Sequence, residues 1–350
     1  MAVSAQPLPV TETAVPAGRD MPRSVSVLIF ARDRGIFVLW ALIIGVFSFW
    51  CAPYFATLDN AMLIANAAAL TAIFAAGVGF GVMTGVLDLS LPGTAAFAAC
   101  VTGWLMTHGQ PVWLSLAAGL ACGVLVGLAN GLIALRGFNP IIVTIGSLSA
   151  LSGLAAVIAG GYTFPGLRQL QFMGTERYFG VPAPVYIVAA LFGVGTLFLT
   201  RTRDGIRLMA VGGNSEAVRR SGIHADRYRV LGFVLSGLCA ALGGLVTTAV
   251  TTEATPEASP GIIFSALTAV ALAGVALTGG RGSLPRVLVG ALILATIANG
   301  LTIRGVQPYW ATVVTGLLLL TSLGLERVIQ RGVSNRLMSV ANLSVHNRSV

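Results

Sequence analysis

The sequence predicts an all-α polytopic membrane protein with about ten transmembrane helices and both termini on the cytoplasmic side. Of its 350 residues, 56% are hydrophobic and 9% are charged, whereas soluble domains carry about 25% charged residues. Apolar runs recur along the chain, and each is long enough (about 17–25 residues) to cross a bilayer as a helix. The runs are continuous rather than alternating, which excludes a membrane β-barrel.

The apolar runs also divide the chain into regions. Residues 1–34 are predicted to be a disordered cytoplasmic tail, because their first part mixes Pro, Ala, Thr and Ser. Residues 35–326 form the transmembrane domain, and residues 327–350 form a cytoplasmic C-terminal tail. The predicted spans are 35–53, 63–86, 90–107, 111–135, 140–160, 183–200, 230–250, 262–279, 284–303 and 308–325.

The basic residues predict the orientation of these spans. All 21 are arginine. With the N-terminus inside, 18 of them fall on the inner side, and only Arg168, Arg177 and Arg304 fall outside. Because positively charged loops stay in the cytoplasm, the loop 201–229 is predicted to be cytoplasmic, and the loops 161–182 and 251–261 are predicted to lie outside.

Asp88 is the one charged residue between Met62 and Thr107. Two spans must fit into this stretch, so the chain turns near residue 86. In one interpretation, Asp88 or Ser90 caps the following helix, with Pro92 in its first turn. In the other, which is compatible with the first, Asp88 belongs to a broken-helix element at a transport pathway, since a carboxylate in lipid is costly.

Polar residues within the spans are typical of a route for a hydroxyl-rich solute. The pathway candidates are Asn66, Asp88, Ser90, Asn130, Thr144 and Asn299. Thr71, Thr84, Ser147 and Thr302 share their polar character. For each residue taken singly, the alternative is a hydrogen bond that holds two helices together.

The loop 201–229 contains signals for one short helix at about 215–221. Asn214 is a favourable N-cap, Glu216 suits the positive helix start, and Arg219 and Arg220 suit its end. Gly222 supplies a stop. Two helical turns are marginal alone in water, so the helix needs a docking surface. The alternative is an ordinary basic loop that holds lipid headgroups.

Four collinear stretches resemble the permeases of ribose-type ABC sugar importers. They are "GVLDLSLPG", "GLANGLIALRGFNPIIVTIGSLSALSGLA", "VGGNSEAVRRSGIHADRYRVLGFVLSGLCAALGGL" and "LTGGRGSLPRVLVGALILATIANGLTIRGV". The resemblance covers about residues 60 to 325. It departs from the family at Val86, Leu87 and Pro92.

This resemblance implies a multi-pass permease subunit of the bacterial inner membrane that passes a small sugar, a monosaccharide, into the cytoplasm. Its expected partners are a second permease copy or paralogue, a cytoplasmic ABC ATPase and a periplasmic sugar-binding protein. The helix at 215–221 would be the coupling helix that rests on the ATPase. The residues implied in coupling are Asn214, Glu216, Ala217, Arg219, Arg220, Ser221 and Gly222.

The residue types present fit a transport subunit better than an enzyme. A chain without lysine cannot contain the G-x-x-x-x-G-K-[ST] phosphate loop, so ATP and Mg are expected in the partner ATPase and no cofactor in this chain. The glycine-rich stretch 278–282 is predicted to be a tight inner turn. Catalytic pairs and metal-ligand spacings are absent from the sequence, and membrane loops explain the basic charge without nucleic acid.

The alternative function is an ion-coupled secondary transporter, for which Asp88 is the one acidic candidate within the spans.

Overall fold

The computed structural model describes residues 23–276 and 278–324. They form a helical bundle with one two-stranded hairpin. The helices are α1 (Arg23–Trp50), α2 (Leu58–Met83), α3 (Leu91–Thr107), α4 (Val112–Leu135), α5 (Pro140–Ile158), α6 (Gln171–Gly174), α7 (Ala183–Arg201), α8 (Arg203–Gly213), α9 (Ser215–Arg220), α10 (Ala225–Thr251), α11 (Gly261–Leu272), α12 (Leu284–Ile303) and α13 (Pro308–Gly324). A 3₁₀ turn (Arg168–Leu170) precedes α6, and the antiparallel strands β1 (Arg177–Tyr178) and β2 (Val181–Pro182) precede α7.

The predicted all-α membrane fold is confirmed. Six helices, namely α2, α4, α5, α7, α10 and α12, are long and apolar enough to cross a membrane. Four shorter apolar helices occupy the remaining predicted spans, and they are Arg34–Trp50 within α1, α3, α11 and α13. Nine of the predicted spans coincide closely with a helix.

The eighth span, predicted at 262–279, is wrong at its C-terminal end. The helix α11 ends at Leu272 and is 12 residues long, which is about 18 Å and short of the ~30 Å of a bilayer core. The chain leaves the helix at Gly274, whose φ is +64°, and residues 275–276 and 278–283 are irregular backbone. Irregular backbone at membrane depth needs protein around it, and this segment has such neighbours.

The N-terminal boundary also differs from the prediction. The helix α1 begins at Arg23, inside the stretch 1–34 that is predicted to be disordered. The apolar run at 25–30 extends the helix backwards from the first span. The remainder of that tail, residues 1–22, and the predicted tail 327–350 lie outside the described residues.

The long helix α10 lies at the centre of the bundle and packs against α2, α3 and α4. Four glycines spaced by four residues, Gly119 to Gly131, form one face of α4. A Cβ atom at Gly123 would lie 2.3 Å from the carbonyl oxygen of Gly237, and one at Gly127 would lie 2.4 Å from that of Phe233. The two backbones are therefore in direct contact, as in small-residue interfaces of membrane helices.

A repeated tripeptide marks two breaks between helices. Residues 84–90 separate α2 from α3, and residues 273–283 separate α11 from α12. Each break ends in Ser-Leu-Pro, at Ser90 and at Ser283, and each serine is the N-cap residue of the helix that follows. The leucines after them are fully buried. The chain thus contains two related helix–break–helix elements.

Two loops meet at the end of the molecule opposite α9. Phe164 and Ala254 exchange backbone hydrogen bonds of 2.9 and 3.0 Å. This pairing joins the loop 161–182 to the loop 251–261, which are both predicted to lie outside. The helices α7 and α10 run from that end to the segment that carries α8 and α9.

Candidate functional site at the helix break and the loop 201–229

The break after α2 is organised around Asp88. Its Oδ1 accepts the backbone N–H of Ser90 at 2.9 Å and the hydroxyl of the same serine at 2.6 Å. The carboxylate is 1% exposed. The Ser236 hydroxyl of α10 lies close enough to interact with the Asp88 carboxylate, although neither Asp88 Oδ2 nor Ser236 Oγ meets hydrogen-bond geometry with any described residue. Burying a polar group without a hydrogen bond is costly, so the surrounding packing must offset the cost of burying these two oxygen atoms.

A chain of hydrogen bonds leads from the break into α4 and α5. The side-chain amide of Asn130 donates to Ser90 Oγ at 3.0 Å, and Ser147 Oγ donates to Asn130 Oδ1 at 2.5 Å. Asp88, Ser90, Asn130 and Ser147 therefore form one polar network that crosses three helices. The network fixes the conformation of the break relative to α4 and α5.

The capping interpretation is wrong for Ser90, whereas Asp88 does accept a backbone N–H at the start of α3, that of the N-cap residue. Ser90 is the N-cap residue of α3, but its side chain makes no capping hydrogen bond. Asp88 accepts from the N-cap residue itself, so it closes a turn one step before the helix. Ser90 Oγ is engaged by Asp88 and Asn130 instead. Pro92 does lie in the first turn of α3, as predicted.

The other pathway candidates lie at separate places. Thr144 is buried one turn before Ser147 on α5 and donates to the carbonyl of Ile141. Asn299 donates to Asn60 Oδ1 at 2.8 Å, which joins α12 to the start of α2. This contact is the helix-joining role that was the alternative for such residues.

Asn66 lines a cavity near the end that carries the hairpin. The cavity has a volume of about 170 Å³, and its polar lining includes Asn66, Thr175 and Arg177. Asn66 Oδ1 is buried without a hydrogen-bond partner among the described residues. The amide oxygen of Asn66 can accept a hydrogen bond from a hydroxyl group, and the guanidinium of Arg177 can donate one to a hydroxyl oxygen.

The short helix predicted at 215–221 is present as α9. Asn214 Oδ1 accepts the backbone N–H of Ala217 at 3.0 Å, so the predicted N-cap is confirmed. Gly222 follows the helix with a φ of +80°. Val218 is buried in the main core and anchors α9 to the bundle. The residues implied in coupling face outward, and Asn214, Glu216, Ala217, Arg219, Arg220, Ser221 and Gly222 are all exposed.

The loop 201–229 contains a second helix that the sequence analysis missed. The helix α8 begins after Thr202, whose hydroxyl accepts the N–H of Gly205 at 3.0 Å. Leu208 and Val211 bury one face of α8. Two signals could have predicted α8: Thr202 as an N-cap residue, and the three-residue spacing of the apolar Leu208 and Val211.

Tyr228 fastens α8 to α10. Its hydroxyl donates to Asp204 Oδ1 at 2.8 Å and accepts from Arg207 Nη1 at 3.3 Å. The hydrogen bond to Tyr228 raises the pKa of the Arg207 guanidinium above its already high value. Arg229 donates to Ser215 Oγ at 3.0 Å and adds a contact from α10 to α9.

Five glycines bring three distant segments into backbone contact. We call them the glycine junction, and they are Gly85 in the break, Gly212 and Gly213 at the end of α8, and Gly279 and Gly280 in the second break. A Cβ atom at Gly212 would lie 2.0 Å from the carbonyl oxygen of Met83, and one at Gly280 would lie 2.3 Å from Gly213 Cα. Only glycine permits such an approach. The segment 278–282, predicted to be a simple tight turn, is thus also a structural partner of α8 and of the break.

Apolar helices, a buried polar break and an exposed short helix are the features of the membrane component of a transport system. Residues 60–323 match the family described as "branched-chain amino acid transport system / permease component". The chain belongs to this family. It is a multi-pass membrane permease, and its role is transport rather than catalysis.

Several relatives are similar over most of their length. The L-arabinose transport system permease protein AraH of Escherichia coli (strain K12) is 33% identical over 80% of this chain and 86% of that protein. The D-allose transport system permease protein AlsC of the same organism is 30% identical over 87% and 94%, respectively. The ribose import permease protein RbsC of Bacillus subtilis (strain 168) is 31% identical over 84% and 91%.

One solved structure is similar at low sequence identity. A metal-chelate type ABC transporter in an inward-facing conformation has 16% identity and a TM-score of 0.46, and the match covers 84% of this chain and 97% of that chain.

Proposed function

We propose that this chain is the transmembrane permease subunit of an ABC importer that passes a monosaccharide across the bacterial inner membrane into the cytoplasm. The observation that carries the proposal is the near-full-length similarity to permeases named for L-arabinose, D-allose and ribose. The family description names branched-chain amino acids, but these relatives belong to sugar systems. The absence of lysine supports ATP and Mg binding in a separate cytoplasmic ATPase. The remaining partners would be a second permease copy or paralogue and a periplasmic sugar-binding protein.

The proposed topology has ten crossings with both termini in the cytoplasm. The helix α11 and the irregular segment after it together make the eighth crossing. The pairing of Phe164 with Ala254 supports a common side for the loops 161–182 and 251–261. The opposite end carries seven arginines between 201 and 229, which favours the cytoplasm for that end.

The helix α9 is proposed to couple ATP hydrolysis to transport. Its exposed residues, namely Asn214, Glu216, Ala217, Arg219, Arg220, Ser221 and Gly222, would enter a cleft of the ATPase. Val218 ties α9 to the core, and Asn214 joins it directly to α8. Because α8 ends in the glycine junction, a displacement of α9 reaches the break through backbone contacts.

The break is the proposed inner gate, and the cavity at Asn66 is the proposed outer chamber. Asp88, Ser90 and Asn130 would hold this gate closed, and the burial of all three side chains supports that role. Opening would separate these groups and expose hydroxyl, amide and carboxylate oxygens to a sugar. Thr144 lies near this gate, whereas Asn299 supports the outer end of α2.

Reconstitution tests the function. The full chain would be placed in liposomes with its ATPase and binding protein, and uptake of labelled L-arabinose, D-ribose and D-allose would be measured. We expect uptake that requires ATP and persists when ionophores collapse proton and sodium gradients. Uptake that needs an ion gradient but not ATP would instead establish the secondary transporter.

The coupling role has its own test. Ala217→Trp places a large side chain on the exposed face of α9, so it should leave insertion intact and abolish uptake and ATPase association. Ala56→Trp is the matched control, because Ala56 is equally exposed in the loop before α2. Normal uptake by Ala217→Trp would remove α9 from the coupling interface.

A further inference from the structure

A second cleft lies away from the break, the glycine junction and the exposed face of α9. It opens between α7, α8 and α10 and has a volume of about 370 Å³. Its floor is apolar and includes Phe198, Val230 and Val234. Its mouth is polar and is formed by Asp204, Arg227 and Tyr228.

The two charged residues at the mouth differ in their contacts within the chain. Asp204 accepts a hydrogen bond from the neutral hydroxyl of Tyr228, and its carboxylate also interacts electrostatically with Arg207. The Arg227 guanidinium, by contrast, makes no ion pair or side-chain hydrogen bond with any described residue. The surrounding loop, 201–229, carries seven arginines against three acidic residues. The mouth therefore presents an unpaired positive charge within a positive surface.

An amphipathic cleft of this kind has the chemistry of a lipid site. The floor belongs to the membrane-spanning parts of α7 and α10, and the mouth lies where these helices leave the membrane. Basic pockets between transmembrane helices at the cytoplasmic surface bind anionic headgroups. A small soluble anion would contact the mouth and leave the apolar floor uncovered, whereas a lipid covers both.

We propose that this cleft binds one anionic phospholipid. Its phosphate would lie on Arg227, and one acyl chain would lie along Phe198, Val230 and Val234. The headgroup would then sit beside Tyr228, which fastens α8 to α10. This inference rests on the proposed topology, which puts the mouth at the cytoplasmic surface, but it is independent of the solute that the permease carries.

Native mass spectrometry of the full chain in detergent tests the site. The probes are phosphatidylglycerol, phosphatidylcholine and soluble glycerol phosphate. We expect one tightly retained phosphatidylglycerol, weaker retention of phosphatidylcholine and no retention of glycerol phosphate. Arg227→Gln should weaken phosphatidylglycerol binding about fivefold, since one arginine near a membrane surface contributes about 1 kcal/mol.

Two further variants make the test specific. Arg203→Gln removes an exposed arginine from α8 that does not line the cleft, and it should bind phosphatidylglycerol as the unmodified chain does. Val234→Trp fills the floor and should also weaken binding; if it fails to fold, Arg227→Gln alone decides.

Four results would overturn the proposal. Arg227→Gln could bind as tightly as the unmodified chain, or Arg203→Gln could lose as much affinity, which would indicate a diffuse effect of charge. Equal retention of glycerol phosphate would show that no acyl chain is bound. Release of the lipid on addition of the partner ATPase would assign the cleft to that protein.

Discussion

The backbone amide of Gly280 donates a hydrogen bond of 3.0 Å to the carbonyl oxygen of Met83. Met83 is the last residue of α2, and its carbonyl has no partner within the helix. The Gly280 amide, which belongs to the second break, thus satisfies a carbonyl oxygen at the C-terminal end of α2. Gly212 and Gly213 of α8 lie against both segments, so the same point links α8, which leads to the proposed coupling helix α9, to the proposed gate.

Gly280→Ala is predicted to disable transport. The residue has a φ of +75°, and its Cβ would lie 2.3 Å from Gly213 Cα. The substitution adds about 1–3 kcal/mol of overpacking to the ~1–2 kcal/mol cost of a positive φ. Gly305→Ala is the control, because Gly305 has a φ of +73° with nothing within 4 Å. Thermal stability and uptake should both fall further in Gly280→Ala, and equal losses would show that only backbone strain matters.

Asp88→Asn is predicted to be tolerated, and Asp88→Ala is not. Asparagine keeps the oxygen that accepts both hydrogen bonds from Ser90. Alanine leaves these buried donors without their acceptor, at a cost of about 1–3 kcal/mol. Asp59→Ala, at an exposed position in the first turn of α2, is the matched control. Uptake per inserted molecule distinguishes the cases, and loss of uptake in Asp88→Asn would show that the charge itself is required.

Gly123→Ala is predicted to destabilise the bundle, whereas Gly146→Ala is not. A Cβ at Gly123 would meet the Gly237 carbonyl at 2.3 Å, and one at Gly146 on α5 would meet nothing within 4 Å. In an open helical position, alanine is favoured over glycine by up to about 1 kcal/mol. Melting of the purified chain in detergent should therefore shift down for Gly123→Ala and stay level or rise for Gly146→Ala. Equal melting temperatures for the two variants would indicate that α4 and α10 lie further apart than described.

Asn214→Ala is predicted to uncouple ATP hydrolysis from transport in part, while Asn214→Asp is not. Aspartate retains the oxygen that accepts the Ala217 amide, whereas alanine removes the cap at a cost of about 0.5–2 kcal/mol. A helix of six residues has little other local support. The ratio of sugar moved to ATP hydrolysed measures the effect. An unchanged ratio in Asn214→Ala would mean that docking on the ATPase alone orders α9.

Cysteine labelling tests the proposed orientation. On a background without Cys51, Cys100, Cys122 and Cys239, a cysteine at Thr255 should react with an impermeant reagent in intact cells. A cysteine at Glu216 should react only after the membrane is opened. Both positions are exposed, so access to the reagent and not burial decides the outcome. Labelling of position 216 from outside would reverse the topology and separate α9 from any cytoplasmic ATPase.

The helices were predictable from sequence because lipid offers no hydrogen-bond partners, so each apolar run must satisfy its backbone internally. The rule failed after Gly274. The apolar composition of 262–279 suits a lipid-facing helix and an irregular segment buried in protein equally well, so composition alone could not predict where the helix ends. Burial by neighbouring segments decides between the two, and burial depends on tertiary contacts. The repeated Ser-Leu-Pro at Ser90 and Ser283 was the available sign of a second break.

The candidate site was predictable only in part. Asp88 and Asn130 stood out as polar residues in apolar runs, but their link through Ser90 depends on the packing of α4 against α3. The glycine junction had no local signal, because glycines are frequent in this chain, 43 in all. Its segments lie far apart in sequence, at Gly85, Gly212 and Gly280. Their convergence is a property of the fold.

The helix α2 runs without interruption from the wall of the cavity at Asn66 to the glycine junction. Asn66 and Met83 are 17 residues apart, which corresponds to about 26 Å along the helix axis. An unbroken helix of this length is expected to move along its axis as a rigid body. If α8 displaced Met83 along the helix axis, Asn66 would be expected to move with it. The two faces of the permease would then respond in a fixed phase, so the outer chamber changes shape as the inner gate moves.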